Sequence, residues 1–282
     1  MTQNSSLIEI FPGNSYIPVV GVHTTLLLFS GLFLPRTTFL KDIAGVQIDP
    51  AQSSSLDRPQ HSFLEPLTIN PLSTLVYVCL GAAVLQGWWA GYMRDWWSLS
   101  ILEGSESEKR LEKAITDRQK IKAFAHAWLA TLTASIIFHG LLVLFGAPFT
   151  LHASRTYGLA LLLSILTVYT PAFVLGPPTW GSSTPSLIKR FLWIRLFAEF
   201  TIRSPIERAL VYPALGSIVF AWLGIIPIAL DWDRPWQAWP LTPAYGAISG
   251  YTIASIASLT VNTVRQIALE QQTRQQRENS SN

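Results

Sequence analysis

The chain has 282 residues, of which 49% are hydrophobic and only 13% charged, against about 25% charged in an average soluble domain. A soluble fold has no need of several separate uncharged stretches near 20 residues, and this sequence carries six. The Lys and Arg residues crowd beside apolar runs and form no stripe interleaved with aromatics, which argues against a nucleic-acid partner despite a net charge of +3. The one cysteine, Cys79, lies inside an apolar run, so neither an intrachain disulfide nor a Cys-based zinc site is available.

Residues 1–15 lack the basic region of a cleaved signal and carry Glu9 ahead of the first apolar run, so that run is expected to remain in the mature protein. The uncharged runs are 16–34, 72–93, 123–145, 156–176, 209–230 and 243–264. At about 1.5 Å per residue each can cross a hydrocarbon core of about 30 Å. Helix is required, because unpaired backbone amides are costly in lipid and these runs lack the two-residue alternation of a membrane barrel. The expected fold is therefore all-α, a polytopic helical membrane bundle of about six transmembrane helices.

Fifteen of the twenty Lys and Arg residues fall in the second and fourth connections and the C-terminal segment; five fall in the first, third and fifth connections. Positive residues are retained in the cytosol, so the fifteen-residue side is cytosolic and both termini lie there. Between the first two runs, Ser53, Ser54, Ser55 and Pro59 indicate irregular structure. Residues 103–122 read as a solvated cytosolic helix in which Glu108 and Glu112 pair with nearby bases such as Lys113. Residues 187–200 mix Lys189, Arg190 and Arg195 with Phe191, Trp193, Phe197 and Phe200, which suits a helix lying in the cytosolic interface; a re-entrant or seventh span is the alternative. The polar tail 265–282 is expected to fray.

Three histidines, His23, His126 and His139, fall within spans and raise a proton-relay, metal or transport role. A straight helix puts His126 and His139 on different faces about 20 Å apart, so the two cannot share a metal, and satisfied neutral histidines are the plainer reading. Ser204-Pro205-Ile206-Glu207 is a capping-box pattern, which makes Glu207 a helix-start residue before a general base. Gly87 and Gly91, and the ridge Gly246, Gly250, Ala254 and Ser258, are expected at close helix contacts within the bundle or against a partner.

The densest feature is the connection Asp231-Trp232-Asp233-Arg234-Pro235-Trp236-Gln237-Ala238-Trp239-Pro240, on the side opposite the basic connections. Asp-x-Asp can hold a divalent cation bridging to a phosphate. The structural alternative has Arg234 pairing with one carboxylate while Trp232, Trp236 and Trp239 anchor the loop among headgroups. No Gly-rich phosphate loop and no G-x-S-x-G accompanies it.

Phe145-Gly146-Ala147-Pro148, the stretch Leu159 to Leu166, and above all Ala214 to Trp239 with Gly224-Ile225-Ile226-Pro227-Ile228-Ala229-Leu230 running into the Asp231 loop resemble the PIG-F family in its fungal form. That family pattern usually has proline where this chain has Ala229. The resemblance implies a non-catalytic endoplasmic-reticulum subunit that binds and stabilises GPI ethanolamine phosphate transferases in GPI-anchor biosynthesis. The metal-dependent transfer of phosphoethanolamine to mannose then stays on the large catalytic partner, and no cofactor or metal is expected on this chain. Asp231, Trp232, Asp233, Arg234, Trp236 and Trp239 become candidate lumenal contacts for the partner or for lipid, the GPI precursor included. The rivals are a lipid-phosphate transferase with a lumenal Asp231/Asp233 metal site, and a lipid or solute transporter. Asn4-Ser5-Ser6 and Asn279-Ser280-Ser281 match the glycosylation pattern but would be cytosolic and unused.

Overall fold

The computed structural model describes residues 13–37, 61–101 and 119–281. The helices are α1 (Gly13–Phe33), α2 (Glu65–Thr68), α3 (Pro71–Ile101), α4 (Lys120–Leu144), α5 (Ala153–Ser164), α6 (Thr170–Leu175), α7 (Thr184–Phe197), α8 (Pro205–Leu223) and α9 (Leu241–Ser281). A π-helical turn at Ile165–Tyr169 and single 3-10 turns at Leu34–Arg36, Ile226–Ala229 and Pro235–Gln237 complete the set among the described residues, where no strand occurs. The serine-rich loop at 53–59, the Asn4 sequon and most of the charged segment 103–122 lie outside the described residues.

Local sequence explains the helix ends. Asn70 caps α3, its Oδ1 accepting from the backbone N–H of Leu72 at 3.1 Å and Ser73 at 3.2 Å, with Pro71 at the first helical position. At the other end of α4, Gly146 adopts φ +96°, its N–H bonds Val143 O and the Ala147 N–H bonds Leu142 O. This double closure needs a residue without Cβ at Gly146, and Pro148 prevents the helix from resuming. Ser204 opens α8 with the capping box expected of it: Ser204 Oγ accepts from the Glu207 N–H at 3.1 Å, and Glu207 Oε2 accepts from the Ser204 N–H at 3.2 Å.

Among the described residues, five helical segments are long and apolar enough to cross a bilayer: Ser15–Arg36, Pro71–Ser100, Lys120–Leu144, Ala153–Leu175 and Pro205–Ala229. The sixth expected span, 243–264, is helical within α9 but falls short of the others in apolarity, because Gly246, Gly250, Tyr251, Thr252, Ser255, Ser258 and Asn262 serve its packing. α9 also runs unbroken to Ser281, so residues 265–281 are helical and do not fray after Arg265 as expected. Its Gln, Arg and Glu residues are adequate helix formers, and Gln266 Nε2 donates to Glu270 Oε1 one turn on at 3.2 Å.

The fourth span sits at the centre, with 83% of its apolar window buried, whereas 17% of the α4 window is buried and its flank faces outward. This central span is not one regular helix. Residues Ile165–Tyr169 form a π-helical turn between α5 and α6, which widens the backbone just ahead of Pro171, a residue that lacks an N–H and crowds the carbonyl four positions earlier. α4, α3, α8 and α9 pack against this span, α1 packs on α3 and α9, and the most extensive pairing among the described residues is α8 against α9. Polar pins cross this core: Gln86 Oε1 accepts from Thr170 Oγ1 at 2.6 Å and from the Tyr251 hydroxyl at 3.3 Å.

The α8–α9 contact is made by backbone. A Cβ added to Gly216 would strike Gly250 O and Ala254 Cβ; one added to Gly246 would strike Phe220 O; one added to Gly250 would strike Gly216 O and Phe220 Cβ. Gly246, Gly250 and Ala254 lie at this close approach of the two helices, while Ser258 turns to α1, 3.5 Å from the Tyr16 hydroxyl. Gly87 and Gly91 behave otherwise. A Cβ on Gly91 would meet nothing within 4 Å, and one on Gly87 would meet only the Tyr169 hydroxyl at 3.8 Å, so this pair makes no close helix contact inside the bundle. Periodicity alone could not distinguish a glycine pair facing the bundle from one facing outward.

Candidate functional site

The chain leaves α8 through Gly224, where a Cβ would collide with Thr242 O and Pro243 Cα at the start of α9. It passes through the Ile226–Ala229 turn, the Asp231–Arg234 corner and the Pro235–Gln237 turn, and re-enters the bundle as α9. Gln237 fixes the loop. Its Nε2 donates to Pro227 O at 2.6 Å and Leu230 O at 2.8 Å, while its Oε1 accepts from the Arg234 N–H at 2.7 Å. Sequence reading did not single out Gln237; its signal is the proline-first, glutamine-third pattern of a helical turn, obscured by Arg234 at the cap position.

Replacing Gln237 by leucine deletes all three bonds at once. It is expected to loosen the loop locally at about 1–3 kcal/mol, measured as faster amide exchange over 230–238 while the melting temperature of the bundle changes little.

Trp239 ties the loop to a distant part of the sequence. Its Nε1 donates to Thr156 Oγ1 at 3.0 Å, and Thr156 Oγ1 in turn donates to Pro148 O at 3.0 Å. The Phe145–Pro148 turn and the Asp231–Pro240 loop thus meet through one threonine at one end of the bundle. The short helix α2 packs on the Pro235–Gln237 turn, so the segment before the second span joins the same end.

The side chains expected to carry contacts divide into two sets. Asp231, Trp232 and Asp233 are exposed, whereas Arg234, Trp236 and Trp239 are half-buried. Trp232 and Trp236 meet edge to face with centroids 5.7 Å apart. Asp233 sits at φ +54°, a left-handed corner that aspartate and asparagine tolerate better than branched residues. The expected ion pair is absent: among the described residues Arg234 bridges neither Asp231 nor Asp233. The loop is held by the Gln237 amide and backbone carbonyls, which leaves both carboxylates turned outward. No group of three or more His, Cys, Asp or Glu side chains gathers as a metal-ligand set among the described residues.

The in-span histidines do not gather either. His23 is buried and stacks on Trp89 at 5.0 Å, His126 is exposed with its ring 2.7 Å from Lys122 O in its own helix, and His139 lies edge-on to Tyr157 at 5.9 Å. His23 Nε2 and His139 Nδ1 are buried without a hydrogen-bond partner, so the expectation of fully satisfied histidines fails at those two atoms.

At the opposite end of the molecule, Glu207 does more than cap. It forms an ion pair with Arg195 through Nη2–Oε1 and a second contact from Nη1 to Oε2 at 3.2 Å, and accepts from the Arg203 N–H at 2.7 Å. The neighbouring Arg208 is buried and donates to Asn262 Oδ1, and Asn262 Nδ2 donates to Pro205 O at 3.0 Å. This network joins α7, α8 and α9 through residues far apart in sequence, a pairing that no local pattern announces.

Residues 56–259 match the family model described as GPI biosynthesis protein family Pig-F. Among known proteins, the chain is 42% identical over 137 residues to glycosylphosphatidylinositol anchor biosynthesis protein 11 of Pyricularia oryzae, covering 49% of this chain and 46% of that protein. It is 34% identical over 139 residues to the human protein named GPI ethanolamine phosphate transferase, stabilizing subunit, covering 49% of this chain and 58% of that protein. The corresponding protein of Yarrowia lipolytica is 37% identical over 134 residues, covering 47% of this chain and 53% of its own length. The chain thus spans about half the length of the curated relatives it matches. No solved structure matches it.

Proposed function

Because this chain belongs to the GPI biosynthesis protein family Pig-F, matched over residues 56–259, we propose that it is a membrane subunit that stabilises a GPI ethanolamine phosphate transferase and leaves catalysis to that partner. The observation that carries this reading is the convergence of the Phe145–Pro148 turn, Thr156 and the Asp231–Pro240 loop into one hydrogen-bonded end of the bundle. Rigid loops held by side-chain amides and presenting exposed Asp231, Trp232 and Asp233 suit a recognition surface, since little ordering entropy remains to be lost on binding. The relatives' names supply the class of partner. The basic bias of the second and fourth connections supports six spans with both ends in the cytosol, α9 providing the sixth, and the Asp231 loop in the lumen of the endoplasmic reticulum. The partner and membrane lipid, the GPI precursor included, are the ligands this loop would meet.

Asp231→Asn combined with Asp233→Asn tests the division of labour. Asparagine keeps the left-handed corner at 233, so the loop is expected to hold its shape. A non-catalytic subunit predicts that phosphoethanolamine transfer persists while the assembly persists, or that both fail together if the carboxylates are contacts. Loss of transfer from an intact assembly would instead make this loop a metal-dependent active site.

A further inference from the structure

The helix α7, Thr184–Phe197, has 14 residues and at about 1.5 Å per residue reaches about 21 Å, too short to cross a bilayer. Its C-terminal half is tied to places where two spans end. Trp193 Nε1 donates to Gly176 O at 2.9 Å, directly after the fourth span, and Arg195 pairs with Glu207 in the first turn of the fifth. These ties set α7 at the level where apolar spans give way to polar chain.

Its basic residues do not face outward. The Lys189 stem lies over Gly176, so that a Cβ there would sit 3.2 Å from Lys189 Cε; Arg190 Nη2 donates to Gly181 O at 3.0 Å; Arg195 also donates to Thr201 O at 2.8 Å. Leu196, fully buried, completes the inner face. What remains exposed between 187 and 197 is Leu187, Ile188, Phe191 and Ile194, a stripe at helical spacing with no charge on it. Trp180, 93% exposed, and exposed Phe200 flank the stripe at its two ends, where an interfacial aromatic belt is expected.

We propose that α7 is a lipid anchor whose Leu187, Ile188, Phe191 and Ile194 face enters the acyl layer of the adjacent leaflet, held by apolar burial and not by positive charge. An interfacial helix usually directs its Lys and Arg at anionic headgroups; here Arg190 and Arg195 bond carbonyls and Glu207, and the Lys189 stem lies back over Gly176. Anchoring is therefore indifferent to anionic lipid. This proposal does not depend on the identity of the catalytic partner.

The test places a nitroxide at Phe191→Cys or Ile188→Cys in a Cys79→Ala background, Cys79 being buried. The full chain is reconstituted in phosphatidylcholine vesicles with and without phosphatidylserine, and Val84→Cys, an exposed site within the α3 span, serves as reference. The expected result is high collision with oxygen and low collision with a water-soluble nickel chelate at both sites, matching position 84, and unchanged by phosphatidylserine. High nickel access would overturn the proposal by showing water at this face. Low access to both reagents would overturn it by showing protein cover, a second copy or a partner, and oxygen contact that appears only with phosphatidylserine would refute the independence from charge.

Discussion

Gly250→Leu is expected to be the most damaging single change in this chain. A Cβ alone at this position would strike Gly216 O and Phe220 Cβ, and Gly216 meets Gly250 O reciprocally, so α8 and α9 must separate along their length. Overpacking of this kind, against backbone with no flexible side chain to move aside, costs about 3 kcal/mol or more. Within lipid no hydrophobic drive between helices offsets the loss, because close van der Waals contact is itself the attraction. The expected readout is a collapse of monodisperse protein in detergent and a large fall in melting temperature. Gly91→Leu is the matched control: a Cβ there meets nothing within 4 Å beyond its own helix, so the fold is expected to be little affected. Equal damage from both would contradict the assignment of the α8–α9 seam as the close contact of the bundle.

Glu207→Ala is expected to have the second largest effect. The Glu207 side chain is 4% and the Arg195 side chain 19% exposed, so removing the carboxylate leaves a largely buried guanidinium without its counter-charge, at about 3–5 kcal/mol. The same change deletes the acceptor for the Arg203 and Ser204 amides that opens α8, a capping loss of about 1 kcal/mol. Arg195→Ala and the double variant complete a cycle, and a coupling energy near zero in thermal or chemical unfolding would contradict a direct pair. Because Arg195 also ties α7 to α8, the variant is expected to raise amide exchange across 184–200 before the rest of the bundle responds.

How much of this was legible in the sequence depends on whether the cause is local. The spans announce themselves through composition, and the Ser204–Glu207 box and the Gly246–Gly250–Ala254 ridge are short-range patterns whose geometry follows from residue type. The acidic-aromatic loop is equally visible, but what holds it is not. Arg234 next to two aspartates suggests an ion pair, whereas the Gln237 amide reaches back to Pro227 and Leu230 and leaves the carboxylates outward. The π-helical turn at Ile165–Tyr169 had a visible cause in Pro171, yet an uncharged run reads as a uniform helix. Gly87 and Gly91 follow the same spacing rule as the α9 ridge and pack on nothing close, because spacing carries no information about which way a face points. The inward turn of Lys189 and Arg195 is likewise tertiary: the Lys189 stem lies over Gly176 and Arg195 pairs with Glu207, both at span ends that the sequence does not place beside them.

Affinity purification probes the proposed stabilisation of a catalytic partner without any assumption about which loop or helix face makes the contact. A tagged chain solubilised in mild detergent is expected to bring down large GPI ethanolamine phosphate transferase subunits, whose steady-state level falls when the chain is depleted. Repeated recovery of the folded chain without any transferase, with transferase levels unchanged on depletion, would contradict it.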